Sequence, residues 1–392
     1  MSKRFHVVDA LRGFAIISIM LLHNIEHFDF YHTPESLPAW MVKIDSVIWD
    51  TLFFLFGGKS FAIFALLFGL TFFIQINNQQ KKGNDFRPRF AWRMFLLLIF
   101  GIINSAFFQG DILMIYAVIG LFMIPLAKLK SQVLVVIAAI LLLQPLELFQ
   151  LVIAIQNPDM ELANPTSWTY FGKMSGYITD DSLWTTLKGN LFNGRRAVLL
   201  WNYENGRYFQ ILALFIIGYL MGRKNRFEWN ADNKRYWLNM LLISALLFMP
   251  LFVITKNMEG LFTSAAIRAS LVQITQPWTN LAFMFSMVSL FILLFHSKLF
   301  HKLLNIITPI GKMSLTNYVL QSIIGSFIYY GFGLGLYEHT GATYSLIIGI
   351  VLSVVFIIFC SYWDNRHKHG PLEALWHKLT WIGYSTKPNI HR

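Results

Sequence analysis

Among the ionisable residues in the first apolar stretch of this chain, Asp9, Arg12, His23 and His27 share one side. Wound as a helix at about 100° per residue, they fall within an arc of roughly 60°. An ionisable group at membrane depth costs on the order of 3 kcal/mol on insertion scales. A stripe that keeps several of them is therefore either in use or held by partners. His23 has the chemistry of a base or proton carrier, and Arg12 with Asp9 that of an anion site. The plainer alternative is an Asp9–Arg12 pair at the helix start, with His23 satisfied by a neighbouring helix and His27 structural.

Other residues invite the same question. Lys59 follows Gly57 and Gly58 inside an apolar run, where two glycines allow close backbone approach and a broken helix. Arg89 and Arg93 open the third run, and guanidinium suits phosphate bidentately; the alternative is charge anchoring. Asp111 opens the fourth run, where it would either cap the helix or orient His23. Ser314, Asn317 and Gln321 share one helix face, as ligand donors or as helix–helix glue. Gly370-Pro371-Leu372-Glu373 starts an amphipathic segment reaching Trp381. No Walker loop, dinucleotide fingerprint, HExxH or GxSxG occurs.

The elements that would position these residues are membrane helices. Of 392 residues, 56% are hydrophobic and only 13% charged, against about 25% charged in soluble domains; the mean hydropathy is +0.52. Apolar blocks near 20 residues long recur, the length that crosses about 30 Å of hydrocarbon. The reading is an all-α polytopic membrane protein of about ten spans: near 6–27, 47–75, 90–108, 111–127, 132–156, 206–222, 236–255, 270–296, 313–333 and 343–363. Residues 1–156 form an N-terminal half, 157–205 an external loop, and 206–392 a C-terminal half with an interfacial tail. The net charge of +12 gathers in alternate loops: Lys3 and Arg4; 81–93; Lys128 and Lys130; 223–235; Lys298 to Lys312; and 366–378. This pattern places both termini in the cytoplasm and explains the basic balance without nucleic acid. The lone Cys360 excludes an internal disulfide or a thiolate metal cluster, and no metal is expected. The first span lacks a small-residue cleavage pattern and reads as retained. Loop 157–205 is rich in aromatics, as expected of a segment lying on the outer leaflet, with a short helix near 181–192 and a lid or acceptor surface as its use.

Three N-terminal stretches and one C-terminal block resemble YeiB-type membrane proteins. Asp9-Ala10-Leu11-Arg12-Gly13-Phe14-Ala15 resembles their opening motif. Gly58-Lys59-Ser60-Phe61 with Leu66 to Leu70, and Gly110-Asp111-Ile112-Leu113 with Tyr116, are similar to their second- and fourth-span motifs. Gly311 to Tyr318, Gln321-Ser322, Tyr330 to Leu336 and Gly370 to Glu373 resemble the conserved domain of unknown function that defines the family. The likeness runs over essentially the whole chain. The family is similar to a branch of the transmembrane acyltransferase superfamily, which implies about ten helices passing an acyl group from cytoplasmic acyl-CoA to an acceptor across the membrane. In the acyltransferases a first-span His is the catalytic candidate, and His23 stands there. Many YeiB-type proteins carry Asn at that position and His where this chain has Asn104.

On this reading His23 is base or acyl carrier, supported by Asp111 and Asn104. Arg12, Asp9, Lys59, Arg89 and Arg93 bind the donor, acetyl-CoA foremost, and Ser314, Asn317 and Gln321 contact substrate. The expected partners are membrane lipids, acyl-CoA and an extracytoplasmic glycan, lipid or envelope acceptor, in a bacterial inner membrane, with a homo-oligomer left open. Two other readings stand beside it. In a transporter or flippase for a small anionic or amphiphilic substrate, the same stripe is a relay. In a non-catalytic scaffold, it only holds helices together.

Overall fold

The computed structural model describes residues 5–34 and 37–383. Lys3 and Arg4, used in the orientation argument, lie outside the described residues. The described residues contain helices and no strand: α1 His6–Ile25, α2 Ala39–Phe56, α3 Ser60–Gln80, α4 Arg87–Phe107, α5 Leu113–Leu126, α6 Ser131–Leu142, α7 Pro145–Gln156, α8 Thr166–Phe171, α9 Ser175–Ile178 and α10 Leu183–Gly189. A π-turn at Asn190–Gly194 leads into α11 Arg195–Glu204, followed by α12 Arg207–Arg223, α13 Ala231–Lys256, α14 Met258–Leu261, α15 Ala265–Phe295, α16 His301–Asn305, α17 Thr308–Lys312, α18 Ser314–Tyr329, α19 Ala342–Asp364 and α20 Pro371–Thr380.

Six helical stretches are long and apolar enough to cross a membrane, and a seventh if α6 and α7, bent by 41° at Leu143–Gln144, count as one span. One of the six is α2 and α3 taken together, 42 residues interrupted by a turn at 57–59. The chain is thus an all-α multi-pass membrane protein. The remaining apolar helices α5, α12 and α18 are shorter, at 14, 17 and 16 residues; the expected ten spans require these to cross as well.

Helix α1 runs through the middle, against α3, α15 and α17 to α19, with Leu11, Ala15, Ile16 and Met20 fully buried. Small residues let backbones touch, as membrane packing favours. A Cβ on Gly311 would stand 1.7 Å from the Asp9 carbonyl oxygen, and one on Gly13 would stand 2.2 Å from that of Ile307. The α3–α12 seam repeats the device, with Gly69 against Phe215 and Gly218 against Leu66. These contacts cross the division at residue 206, so the N- and C-terminal halves interlock. The 157–205 segment is folded and docked. Asn190 Nδ2 donates to the Ala106 and Phe107 carbonyls at the end of α4, and the Gly331 N–H donates to the Ile178 carbonyl.

Candidate functional site

The chain leaves α1 through an unusual turn. His27, Phe28 and Asp29 have φ of +47°, +55° and +68°, and none is glycine. Left-handed backbone costs an L-residue about 1–2 kcal/mol, so the surroundings must impose it. They do. The Phe28 ring occupies the space where Gly325 lacks a side chain, 1.9 Å from where a Cβ would be. Its carbonyl accepts from the Tyr330 hydroxyl at 2.7 Å. His27 Nε2 lies 3.0 Å from Ser345 Oγ, and its ring stacks on Tyr329 at 4.8 Å. His27 is thereby a buried anchor of the turn, and burial holds its imidazole down at about 4.

The turn folds Glu26 and Asp29 back beside His23. His23 Nδ1 lies 3.0 Å from Glu26 Oε2, and Glu26 Oε1 accepts from the Tyr31 hydroxyl at 3.2 Å. The His23 ring rests on Phe108, 4.6 Å between centroids. With Nδ1–H donated to the carboxylate, Nε2 is left as the basic nitrogen. Burial, and next the negative charge of Glu26, push the Asp29 carboxyl up, against the opposing pull of His23 and Arg207. His23, Glu26 and Asp29 also offer one ligand atom each within 4.8 Å of one another, so this group could hold a metal ion.

All three residues line a cavity of about 1190 Å³ walled by Phe53, Phe61, Trp168, Phe171 and Trp201, among others. Trp168, Phe171 and Trp201 come from the 157–205 segment, so that segment covers part of the site. Two cations line it. Arg207, the first residue of α12, sits between the rings of Phe61 (4.5 Å) and Trp201 (4.1 Å). Lys59, in the break between α2 and α3, lies 5.8 and 5.6 Å from the rings of Phe54 and Phe283. Neither side chain makes a hydrogen bond or ion pair among the described residues. Asp111 lines the same cavity but is bonded elsewhere: Oδ1 accepts from Asn104 Nδ2 at 2.9 Å and Oδ2 from the Met114 N–H at 3.0 Å. Burial raises its carboxyl to about 7 in spite of those bonds. Asn104 and Asp111 thus form a pair of their own, and the carboxylate bonded to His23 is that of Glu26.

A second cavity, about 190 Å³, lies toward the Arg12 end of α1 and is lined by Arg12, Gln75, Arg93, Lys312, Ser314 and Glu373, among others. Arg12 bonds Asp9 at 3.0 Å and Thr71 Oγ1. Arg93 stacks on Trp376 at 3.5 Å. Lys312 reaches Asp364 at 2.6 Å. Glu373 of α20 accepts the N–H groups of Leu315 and Thr316 at 2.7 and 3.1 Å, closing the start of α18. Phe64, Tyr116 and Tyr318 line both cavities and form the partition between them.

The remaining sequence candidates are dispersed. Arg89 lines neither cavity; its Nη1 donates to the Thr380 and Ile382 carbonyls and pins α20. Asn317 donates to the Ile310 carbonyl at 3.0 Å and meets Cys360 at 3.2 Å, between helices. Gln321 is buried with both amide atoms unpartnered. Of that stripe only Ser314 reaches a cavity. Sequence reasoning missed Glu26, Asp29 and Arg207. The density of ionisable groups in His23-Asn24-Ile25-Glu26-His27-Phe28-Asp29 was the available signal for the first two.

The geometry defines a multi-pass helical membrane protein with an imidazole–carboxylate pair in a large aromatic-walled cavity. Residues 221–383 match the family described as protein of unknown function (DUF418). Across 98% of its length the chain is 26% identical to the uncharacterized protein YxaH of Bacillus subtilis (strain 168), covering 96% of that protein. It is 25% identical to the uncharacterized protein YeiB of Escherichia coli (strain K12), with 96% of each chain covered. No solved structure matches it significantly. These matches support a YeiB-type family for the chain.

Proposed function

We propose that this chain is an acyltransferase of a bacterial inner membrane, with both termini cytoplasmic. It takes an acyl group from cytoplasmic acyl-CoA, acetyl-CoA foremost, and delivers it to an extracytoplasmic acceptor. The observation that carries this reading is the His23–Glu26 pair at 3.0 Å, lining a cavity large enough for a sugar or lipid head group. Behind a partition of three aromatic residues lies a second cavity rich in cations.

In this mechanism an acceptor hydroxyl or amine attacks the thioester carbonyl carbon and gives its proton to His23 Nε2. The C–S bond breaks, and the proton passes from the imidazolium to the CoA thiolate. Glu26 holds the tautomer and balances the imidazolium. The Tyr318 hydroxyl, which accepts the Ile112 N–H at 3.2 Å, keeps its own proton for the developing oxyanion. Arg12 and Arg93 face the CoA phosphates, and Arg207 faces an anionic group on the acceptor.

Calorimetry of the purified protein with acetyl-CoA and with CoA tests it. Micromolar binding lost in Arg12→Ala supports the reading; no binding by a folded sample sinks it. A transporter is favoured by a different observation, the interruptions at Gly57–Lys59 and at the α6–α7 bend, since broken helices mark many transport sites. Donor-independent flux in liposomes would select that reading.

A further inference from the structure

Outside both cavities, the α6–α7 bend buries two oxygens that have nothing to bond. Glu147 and Gln144 are 3% and 2% exposed, and Glu147 Oε2 and Gln144 Oε1 have no hydrogen-bond partner. The Gln144 amide is fixed in orientation, because its Nε2 donates to the Ile274 carbonyl of α15 at 3.0 Å and a flip would set oxygen against oxygen. Both side chains converge on Gly206, where a Cβ would lie 2.4 Å from Glu147 Oε1 and 3.1 Å from Gln144 Oε1. Two acceptors therefore share one buried corner, where the only donor to the Glu147 carboxylate is its own backbone N–H and none reaches Oε2 or Gln144 Oε1 among the described residues.

No charge compensates them. α6 carries no ionisable side chain, and Glu147 is the only one on α7. On α15, Arg268 is turned to the Phe262 and Thr263 carbonyls. Before α12, Glu204 accepts from Ser167, and Arg207 is stacked between rings on the cavity side. An uncompensated carboxylate in such a place is far costlier than a neutral acid.

We propose that Glu147 is a proton-binding site: its carboxylic acid O–H donates to Gln144 Oε1. One proton satisfies both orphaned oxygens, because only the acid form of a carboxyl has a donor. Gly206 immediately precedes Arg207 of the large cavity, so release of this proton would be felt at the end of α12 that lines the site. This inference is independent of the acyltransferase reading.

The test uses the full-length protein in detergent. Infrared difference spectra of wild type against Glu147→Gln, in H2O and D2O at neutral pH, should show a protonated-carboxyl C=O band that shifts in D2O and is missing from the variant. Gln144→Leu should move that band to higher frequency by removing its acceptor. Dicyclohexylcarbodiimide, which attacks protonated carboxyls in apolar surroundings, should label Glu147 equally in sodium and in potassium chloride. Glu147→Gln keeps a donor for Gln144 and should retain the wild-type melting temperature. Absence of the carboxyl band overturns the proposal whatever the labelling. Sodium-specific loss of both band and label overturns it in favour of a bound metal cation.

Discussion

The two ends of α1 solve the same problem in opposite ways. At the Arg12 end the charges facing the small cavity are held: Arg12 by Asp9, Lys312 by Asp364, Arg93 by the Trp376 face, and Glu373 by the start of α18. At the His23 end His23 and Glu26 are joined by a hydrogen bond, while among the described residues the side chains of Lys59 and Arg207 meet aromatic rings alone. Charges held in pairs brace the helices that carry them. Cations facing a large cavity over aromatic rings hold back donors that an anionic ligand can use. The small cavity is thus built tightly enough to grip a fixed chemical handle, and the large one loosely enough to admit a partner of some size.

The sharpest break of this comparison is His23→Ala. Transfer should fall by about 10²–10⁴-fold, the usual worth of a positioned base, with acetyl-CoA binding unchanged in calorimetry; equal loss of donor binding would erase the distinction between the two ends. Next, Gly311→Val should destabilise by roughly 1–3 kcal/mol or more through overpacking, since even a Cβ there meets the Asp9 carbonyl oxygen at 1.7 Å. Detergent melting should show it, and a wild-type melting point would refute the close packing that pins the braced end.

A pH titration sharpens the contrast. The Asp29 and Asp111 carboxyls are both raised by burial, Asp111 to about 7. The folded state therefore holds protons more tightly than the unfolded chain. The stability this gives is fully present below about pH 4 and is lost as pH rises through about 7. Melting temperature should fall across that window, and Asp29→Asn or Asp111→Asn should each flatten the slope. An unchanged slope in both variants would remove burial as the cause. The smallest effect belongs to Arg89→Gln. It frees the carbonyls of Thr380, the last residue of α20, and of Ile382 just beyond it, and should change stability by about 1 kcal/mol and acetyl-CoA affinity by less than a factor of two. A tenfold loss of affinity would restore Arg89 to the donor site.

Much of the frame could be read from residue pattern. The Asp9–Arg12 pair follows from i,i+3 spacing, the break at Gly57–Lys59 from its glycines, and the spans from apolar length. The site was harder. A left-handed turn normally announces itself with Gly or Asn, and His27-Phe28-Asp29 has neither. It exists because Gly325 and Tyr330, about 300 positions away, make room for Phe28 and bond it. Spacing along the chain therefore does not mark Asp29 as a neighbour of His23. Asp111 could equally cap α5 or orient His23 by position alone, and its bonds run to Asn104 and Met114. Nothing in the sequence singles out Arg207, because spacing along the chain says nothing of the two rings that flank it. Glu147 stood in plain view within an apolar run, but only the bend at Leu143–Gln144 shows that its side chain turns inward and is buried.

The α13–α15 hairpin carries one more consequence. Only 6% of the apolar window of α13 is buried in protein, against 67% for α1, so the solvent of α13 is lipid. Its partner α15 has 31 residues, about 46 Å at 1.5 Å per residue, whereas the hydrocarbon layer is about 30 Å thick. The pair must lean or thicken the bilayer around it. Thr255, Lys256, Thr279 and Asn280 of these two helices line the large cavity, so the lean of the hairpin sets how wide that cavity stands. Reconstitution in lipids of graded chain length should therefore change the width of that cavity, and an unchanged cavity would separate the hairpin from the site.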